Sequence, residues 1–207
     1  MNPHQITKDF EAAVARYCGS KYAVAVNSCT AALLLCFVYH EVDEVELPAR
    51  TYVGVAQSVL NAGGTVRFRQ EDWQGQYVCR PYPIVDAARR FRHGMYERGM
   101  FTCVSLHVSK ICGVDQGGVI LHDDPSADPI LRKLRFDGRT EGIHPRDDTF
   151  TRGFHCYISP NTAAQALWKL STLPRWNADL PRSDYSDLSL SPIFQSNRQK
   201  IVAEAAE

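Results

Sequence analysis

The chain has 207 residues, 44% of them hydrophobic, enough to bury one core and at most a small appendage. Its 23 basic and 23 acidic residues cancel to a formal net charge of +0, which argues against a nucleic-acid groove or an anionic-lipid surface. The longest wholly apolar run, residues 31–39, is too short to span a bilayer, and the N-terminus has no signal-peptide pattern, so a soluble cytoplasmic protein is expected.

In chain order, residues 7–17 read as an amphipathic helix with Thr7 as its cap and Phe10, Val14 and Tyr17 on one stripe. Gly19 ends it. Tyr22-Ala-Val-Ala-Val26 is a short strand, and the turn Asn27-Ser28-Cys29-Thr30 opens a buried helix running to Tyr39. A polar turn at a helix N-terminus is either an anion site, because orphan amides and the helix dipole converge there, or an ordinary Ser/Thr cap. A strand over 42–47, a helix over 53–61 entered through Thr51 and Tyr52, and a strand over 66–68 follow. That strand–helix–strand rhythm predicts a parallel α/β sheet. After a polar, aromatic connection over 71–83, Ile84-Val-Asp86-Ala-Ala88 delivers a carboxylate at the end of an apolar strand. Asp86 there serves a site or caps the next turn. The cluster Arg89-Arg90-Phe91-Arg92-His93 is an anion grip or a solvated basic turn.

The densest stretch is Phe101-Thr-Cys-Val-Ser105-Leu-His107-Val-Ser-Lys110, followed by Asp115-Gln-Gly117-Gly118. A strand over 101–106 carries Ser105, His107 and Lys110 to its carboxyl end, and the glycine pair turns the chain into a strand over 119–121. A lysine at the mouth of a buried strand sits in a low dielectric that favours the neutral, nucleophilic amine; the other reading is a surface lysine after an edge strand. His107 shares that site or is a satisfied core histidine. Beyond a loop over 123–129, residues 130–136 form a helix with basic positions at Arg132, Lys133 and Arg135. The polar residues 139–152 read as a mobile active-site loop. After residue 173 the composition turns to Pro, Asp and Ser, with 183–191 as a plain linker and a last helix over 197–206. The seven cysteines form no Cys-x-x-Cys pair and lie mostly in apolar runs, which predicts reduced thiols rather than disulfides or a zinc site.

The Ser105-to-Lys110 stretch with Asp115-Gln-Gly-Gly118 resembles the Ser-Phe-His-x-x-Lys…Glu-Gly-Gly stretch of the DegT/DnrJ/StrS family. Those proteins are sugar aminotransferases of fold type I that use pyridoxal 5'-phosphate (PLP). The resemblance runs, with gaps, from Phe10 to Leu173, and Asp115 stands where the family has Glu. It implies that Lys110 carries PLP covalently. Ser28-Cys29-Thr30-Ala-Ala-Leu33 is similar to the family's Ser-Gly-Thr-Ala-Ala-Leu, which implies a phosphate site of Ser28, Cys29 and Thr30 together with Ser105. Cys29 replaces the family's glycine. Pro48-x-x-Thr51-Tyr52 implies that Tyr52 stacks on the pyridine ring, and Asp86-Ala-Ala88 that Asp86 keeps its nitrogen protonated. Arg89 stands where the family has Gln or His beside the ring. His107 and Tyr157 are the implied substrate or partner-subunit positions, Tyr157 taking the place of the family's Asn.

As a whole, the resemblance implies an α/β fold with a mostly parallel sheet flanked by helices. The PLP domain would cover residues 1–173, with one βα unit fewer around 71–83. The tail, 174–207, would leave most of the family's C-terminal small domain missing. A homodimer is implied, with no nucleic-acid or membrane partner. The implied reaction moves an amino group from Glu or Gln to a keto-sugar nucleotide or a similar small carbonyl compound. A PLP-dependent decarboxylase or lyase and a non-catalytic degenerate homologue are the alternatives, the last disfavoured by the joint presence of Lys110 and Asp86.

Overall fold

A computed structural model describes residues 4–181 and 184–195, so the helix expected over 197–206 lies outside the described residues. Five strands form one sheet: β1 (Tyr22–Val26), β4 (Tyr77–Cys79), β5 (Ile84–Asp86), β6 (Phe101–Ser105) and β7 (Gly118–His122), in the order β1-β7-β6-β5-β4. Beside it, β2 (Glu44–Pro48) and β3 (Thr65–Arg69) pair in parallel. The two sheets meet where the Glu46 and Arg80 backbones exchange hydrogen bonds.

The α/β class is as expected, but the large sheet is mixed rather than mostly parallel. Only β5 and β6 run together in it; β1/β7, β7/β6 and β4/β5 are antiparallel. The strand–helix–strand rhythm over 42–68 does give a parallel pair, β2 with β3, whereas the apolar strands of the large sheet are buried on both faces whatever their direction. Along β1, Val24 and Val26 join the core containing Leu33 and Phe37, whereas Ala23 and Ala25 join the one containing Phe10 and Val14. The first core is covered by α2 (Cys29–Tyr39), α3 (Val53–Ala62) and α4 (Ala127–Arg135), the second by α1 (Gln5–Cys18) and α5 (Pro160–Thr172). Strand β4 lies within the stretch read as a connection, without an accompanying helix.

Helix ends follow local chemistry with one correction. Thr7 is not the cap of α1: the helix starts at Gln5 after His4, and Thr7 is buried inside it. Gly19 ends the helix in the left-handed region, its N–H donating to Ala15 O. Ser28 caps α2 by accepting from Ala31 N at 3.0 Å, and Ser159 caps α5, with Pro160 in its first turn.

Residues 139–152, expected to be an active-site loop, are tied to α4 at several points. A buried ionic knot holds their start: Glu11 accepts from Arg132 Nη1 at 2.7 Å and from Arg135 Nη1, and Arg135 Nη2 donates to Glu141 at 2.7 Å. Farther on, Lys133 Nζ donates to Thr149 O at 3.0 Å and Thr140 Oγ1 to Asp148 at 2.9 Å. Several polar groups of the segment thus pair with α4 or with each other, while most of its residues are exposed.

The tail is packed rather than a plain linker. Asp179 pairs with Arg90 at 2.6 Å and Arg92 at 3.5 Å. Leu188 is buried in the core and donates its N–H to Ala49 O at 2.9 Å, and Phe194 meets Phe68 edge-on. No helix among the described residues is long and apolar enough to cross a membrane.

Candidate active site

The first turns of α2 and α3, the ends of β5 and β6 and the loop after β6 line one cavity of about 450 Å³. Ser28, Cys29, Thr30, Tyr52, Asp86, Arg89, Ser105, His107 and Lys110 all face it. Among the residues singled out from sequence, Tyr157 alone is not brought there. Its ring packs edge-on against Phe136 and His155, and its backbone bridges Val26.

Two glycines make the close approaches that the cavity requires. A side chain at Gly118, the first residue of β7, would stand 2.6 Å from Cys29 N and the Ser28 backbone, so only glycine lets the strand pass under the α2 turn. A side chain at Gly113 would meet the carbonyls of His107, Val108 and Lys110 at 2.5–2.7 Å. Gly113 therefore sits inside the loop that presents Lys110. Lys110 itself is half-buried, and its loop is closed by Lys110 N to His107 O at 2.8 Å and Gly113 N to Lys110 O at 2.9 Å. His107 is exposed at the rim, with Nδ1 at 2.9 Å from Ser109 Oγ, which removes its reading as a core histidine.

Asp86, 3% exposed, is the most constrained group in the cavity. Its Oδ1 accepts from Ala88 N at 2.9 Å and its Oδ2 from the Tyr77 hydroxyl at 2.9 Å. Tyr77 has one proton and gives it to Asp86, so the Thr51 hydroxyl, 2.6 Å away, donates to Tyr77. Thr51 and Tyr77 received no role from the sequence. Tyr77 could have been found from the alternation Tyr77-Val78-Cys79, whose first and third residues are buried. Arg89 lines the cavity while its guanidinium donates to Pro181 O and its carbonyl accepts from Leu180 N, which ties the tail to the site. The tail also brings Tyr185 to the cavity wall opposite no sequence signal at all.

Electrostatics divide the groups. Burial raises Asp86 above the ordinary carboxylate range, opposed by the Ala88 N–H, the Tyr77 hydroxyl and the charges of Lys110 and Arg89. Burial, reinforced by Asp86, pushes the Cys29 thiol well up, so it is neutral near pH 7. Since folding raises Asp86, its contribution to stability is fully present below the unfolded value of 3.8 and is lost as pH rises through the folded value. Asp128, lowered to about 2 by His122 and Arg132 against the cost of burial, works the other way, losing its contribution as pH falls. In urea unfolding of the unliganded chain, Asp86→Asn should therefore gain stability relative to the natural protein between about pH 4 and about pH 7. A difference that does not change with pH contradicts this account of Asp86.

Comparison with known proteins agrees with this geometry. Residues 3–79 match the model of the DegT/DnrJ/EryC1/StrS aminotransferase family. The GDP-perosamine synthase of Caulobacter vibrioides is 45% identical over 176 residues, covering 63% of this chain and 47% of the relative. The chain thus spans about half the length of that curated relative. In fold, the sugar aminotransferase CalS13 from Micromonospora echinospora matches with a TM-score of 0.71 at 18% identity, over 81% of this chain and 60% of that one. PseC of Helicobacter pylori, an aminotransferase of pseudoaminic acid biosynthesis, matches with a TM-score of 0.67 at 16% identity, over 81% and 57%. The chain is thus similar in sequence, over residues 3–79, to the DegT/DnrJ/EryC1/StrS aminotransferase family, and its fold is that of sugar aminotransferases.

Proposed function

We propose that this chain is a PLP-dependent sugar aminotransferase, moving an amino group from Glu or Gln to a keto-sugar nucleotide. The observation that carries the reading is that one cavity is lined by both a half-buried lysine, Lys110, and a buried carboxylate, Asp86. Their meeting in one cavity also disfavours a degenerate, non-catalytic homologue. The perosamine synthase relative supports a GDP-linked sugar as the acceptor. Seven unpaired cysteines suit the reducing cytoplasm.

The residues present fit PLP. The α2 first turn offers the amides of Cys29 and Thr30, which have no intrahelical partner, beside the hydroxyls of Thr30 and Ser105. Cys29 in place of glycine is compatible with that role, because its neutral thiol adds no negative charge next to a phosphate. When bound, PLP supplies a conjugated electron sink for bonds at the reacting carbon. Asp86, fixed by Tyr77 and Ala88, is the carboxylate that holds a proton at the ring nitrogen. Lys110 Nζ would be the amine that holds the group, and as a free amine would be the base that takes up and returns a proton. Tyr52 offers a flat face at the rim for stacking, and Arg89 adds a cation there.

A second copy of the chain is the proposed partner. Tyr52, Val53 and Val108, 53%, 44% and 65% exposed, leave large apolar groups open to water at the α3 start and on the lysine loop. Covering them would also shield the cavity. Light scattering should report twice the chain mass, and a monomer at micromolar concentration contradicts the dimer. In steady-state assays with glutamate as donor, Asp86→Ala should lower kcat/KM by about 100-fold or more and Tyr52→Phe, which keeps its ring, by less than about 10-fold. Comparable losses in the two variants contradict the assigned roles.

A further inference from the structure

Asp86 is reached from two sides, and only one of them opens on the cavity. On the open side stand Lys110 and Arg89, whose surroundings change with whatever fills the cavity. On the closed side is Tyr77, which is not among the described residues lining the cavity. Its hydroxyl donates to Asp86 Oδ2 at 2.9 Å and stands 2.6 Å from the Thr51 hydroxyl. Tyr77 and Thr51 are 5% and 1% exposed, so neither hydroxyl turns to bulk water for a partner. The ring is braced as well: Trp73 meets it edge-on at 4.7 Å, and Trp73 Nε1 is held on Arg50 O at 2.9 Å.

The other groups around the carboxyl give this donor its weight. Cys29 from α2 and Cys79 from β4 also face Asp86, and burial pushes both thiols well up, so they stay neutral. Burial, reinforced by Asp86, likewise raises the Tyr77 hydroxyl, which keeps its proton and remains a donor near pH 7. A hydroxyl aimed as a donor stabilises a carboxylate more than the neutral acid. It offsets part of the burial cost that Lys110 and Arg89 would otherwise oppose with the Ala88 amide alone.

We propose that Tyr77, set as a donor by Thr51, is a positioning residue that keeps Asp86 charged whatever occupies the cavity. A charged Asp86 can hold the proton of a cationic ring; a neutral one has no charge to offer it. The proposal rests on the aminotransferase reading only for the ring that Asp86 meets.

Two titrations of the full chain test it. The first uses no cofactor: urea unfolding from about pH 5 to about pH 8 of the natural protein, Tyr77→Phe, Asp86→Asn and the double variant. Loss of the donor raises Asp86 further, so the deficit of Tyr77→Phe should grow as pH rises through that range. In the Asp86→Asn background the same substitution should cost the same at every pH. Thr51→Val should show the trend more weakly, and Thr51→Ser, which keeps the hydroxyl, should follow the natural protein. A deficit of Tyr77→Phe that does not vary with pH, or that varies equally in the Asp86→Asn background, overturns the proposal. The second titration follows the visible cofactor band as PLP is added at falling pH. The pH at which loading fails should move up by about one unit in Tyr77→Phe, and the cofactor's own titration cancels from that difference. An unmoved limit overturns the proposal. If Tyr77→Phe does not fold, Thr51→Val takes its place in both series, with smaller shifts of the same sign. If PLP does not load on the natural protein, the aminotransferase reading fails, and the unfolding series alone decides the role of Tyr77.

Discussion

The structure depends on keeping one carboxylate out of water at the end of a central strand. Asp86 is buried at the end of β5, and burial alone would favour its neutral form. Four neighbours oppose that tendency: the Ala88 amide, the Tyr77 hydroxyl with Thr51 behind it, and the charges of Lys110 and Arg89. The arrangement constrains much of the fold. It requires β4 beside β5 to bring Tyr77, and the turn before α3 to bring Thr51. It also requires the loop after β6, packed around Gly113, to present Lys110 to the same cavity. A buried acid with partly compensating donors is costly to a fold and common at functional sites, which is why this group, rather than the surrounding apolar core, identifies the site.

The two cores have a different task. Residues alternating along β1, β6 and β7 feed apolar layers on both faces of the sheet, so the strand ends are held rigidly between helices. Chemistry placed at those ends inherits that rigidity. The tail adds a second layer of control. Asp179 is clamped by Arg90 and Arg92, and Leu188 is anchored in the core, so tail residues on either side of Tyr185 are held beside the cavity. The basic cluster after Asp86 is thereby explained in part: Arg90 and Arg92 hold the tail through Asp179, and Arg89 holds it through Pro181 while lining the cavity.

Much of the site was legible in the sequence because its signals are local. A strand ending in Asp86, a strand ending near Lys110 and a polar turn before an apolar helix can each be read within ten residues or so. Strand direction was legible for β2 and β3, joined by α3, but not in the large sheet, where two-sided burial gives the same apolar run whether neighbours are parallel or antiparallel. Tyr77 was obscured by its short strand and polar flanks. Residues 139–152 are largely exposed, as their polarity implies, and their ties to α4 have no local signal. Tyr157, expected at a substrate or partner-subunit position, does not line this chain's own cavity and packs on Phe136 and His155. Tyr185 had no signal, because a Pro-, Asp- and Ser-rich tail has no period that announces where it folds back.

Borohydride reduction of the protein with PLP, followed by peptide mass mapping, tests the account most directly. A single pyridoxyl addition on Lys110 is the predicted result. Addition at another lysine, or an even spread over surface lysines, would contradict it.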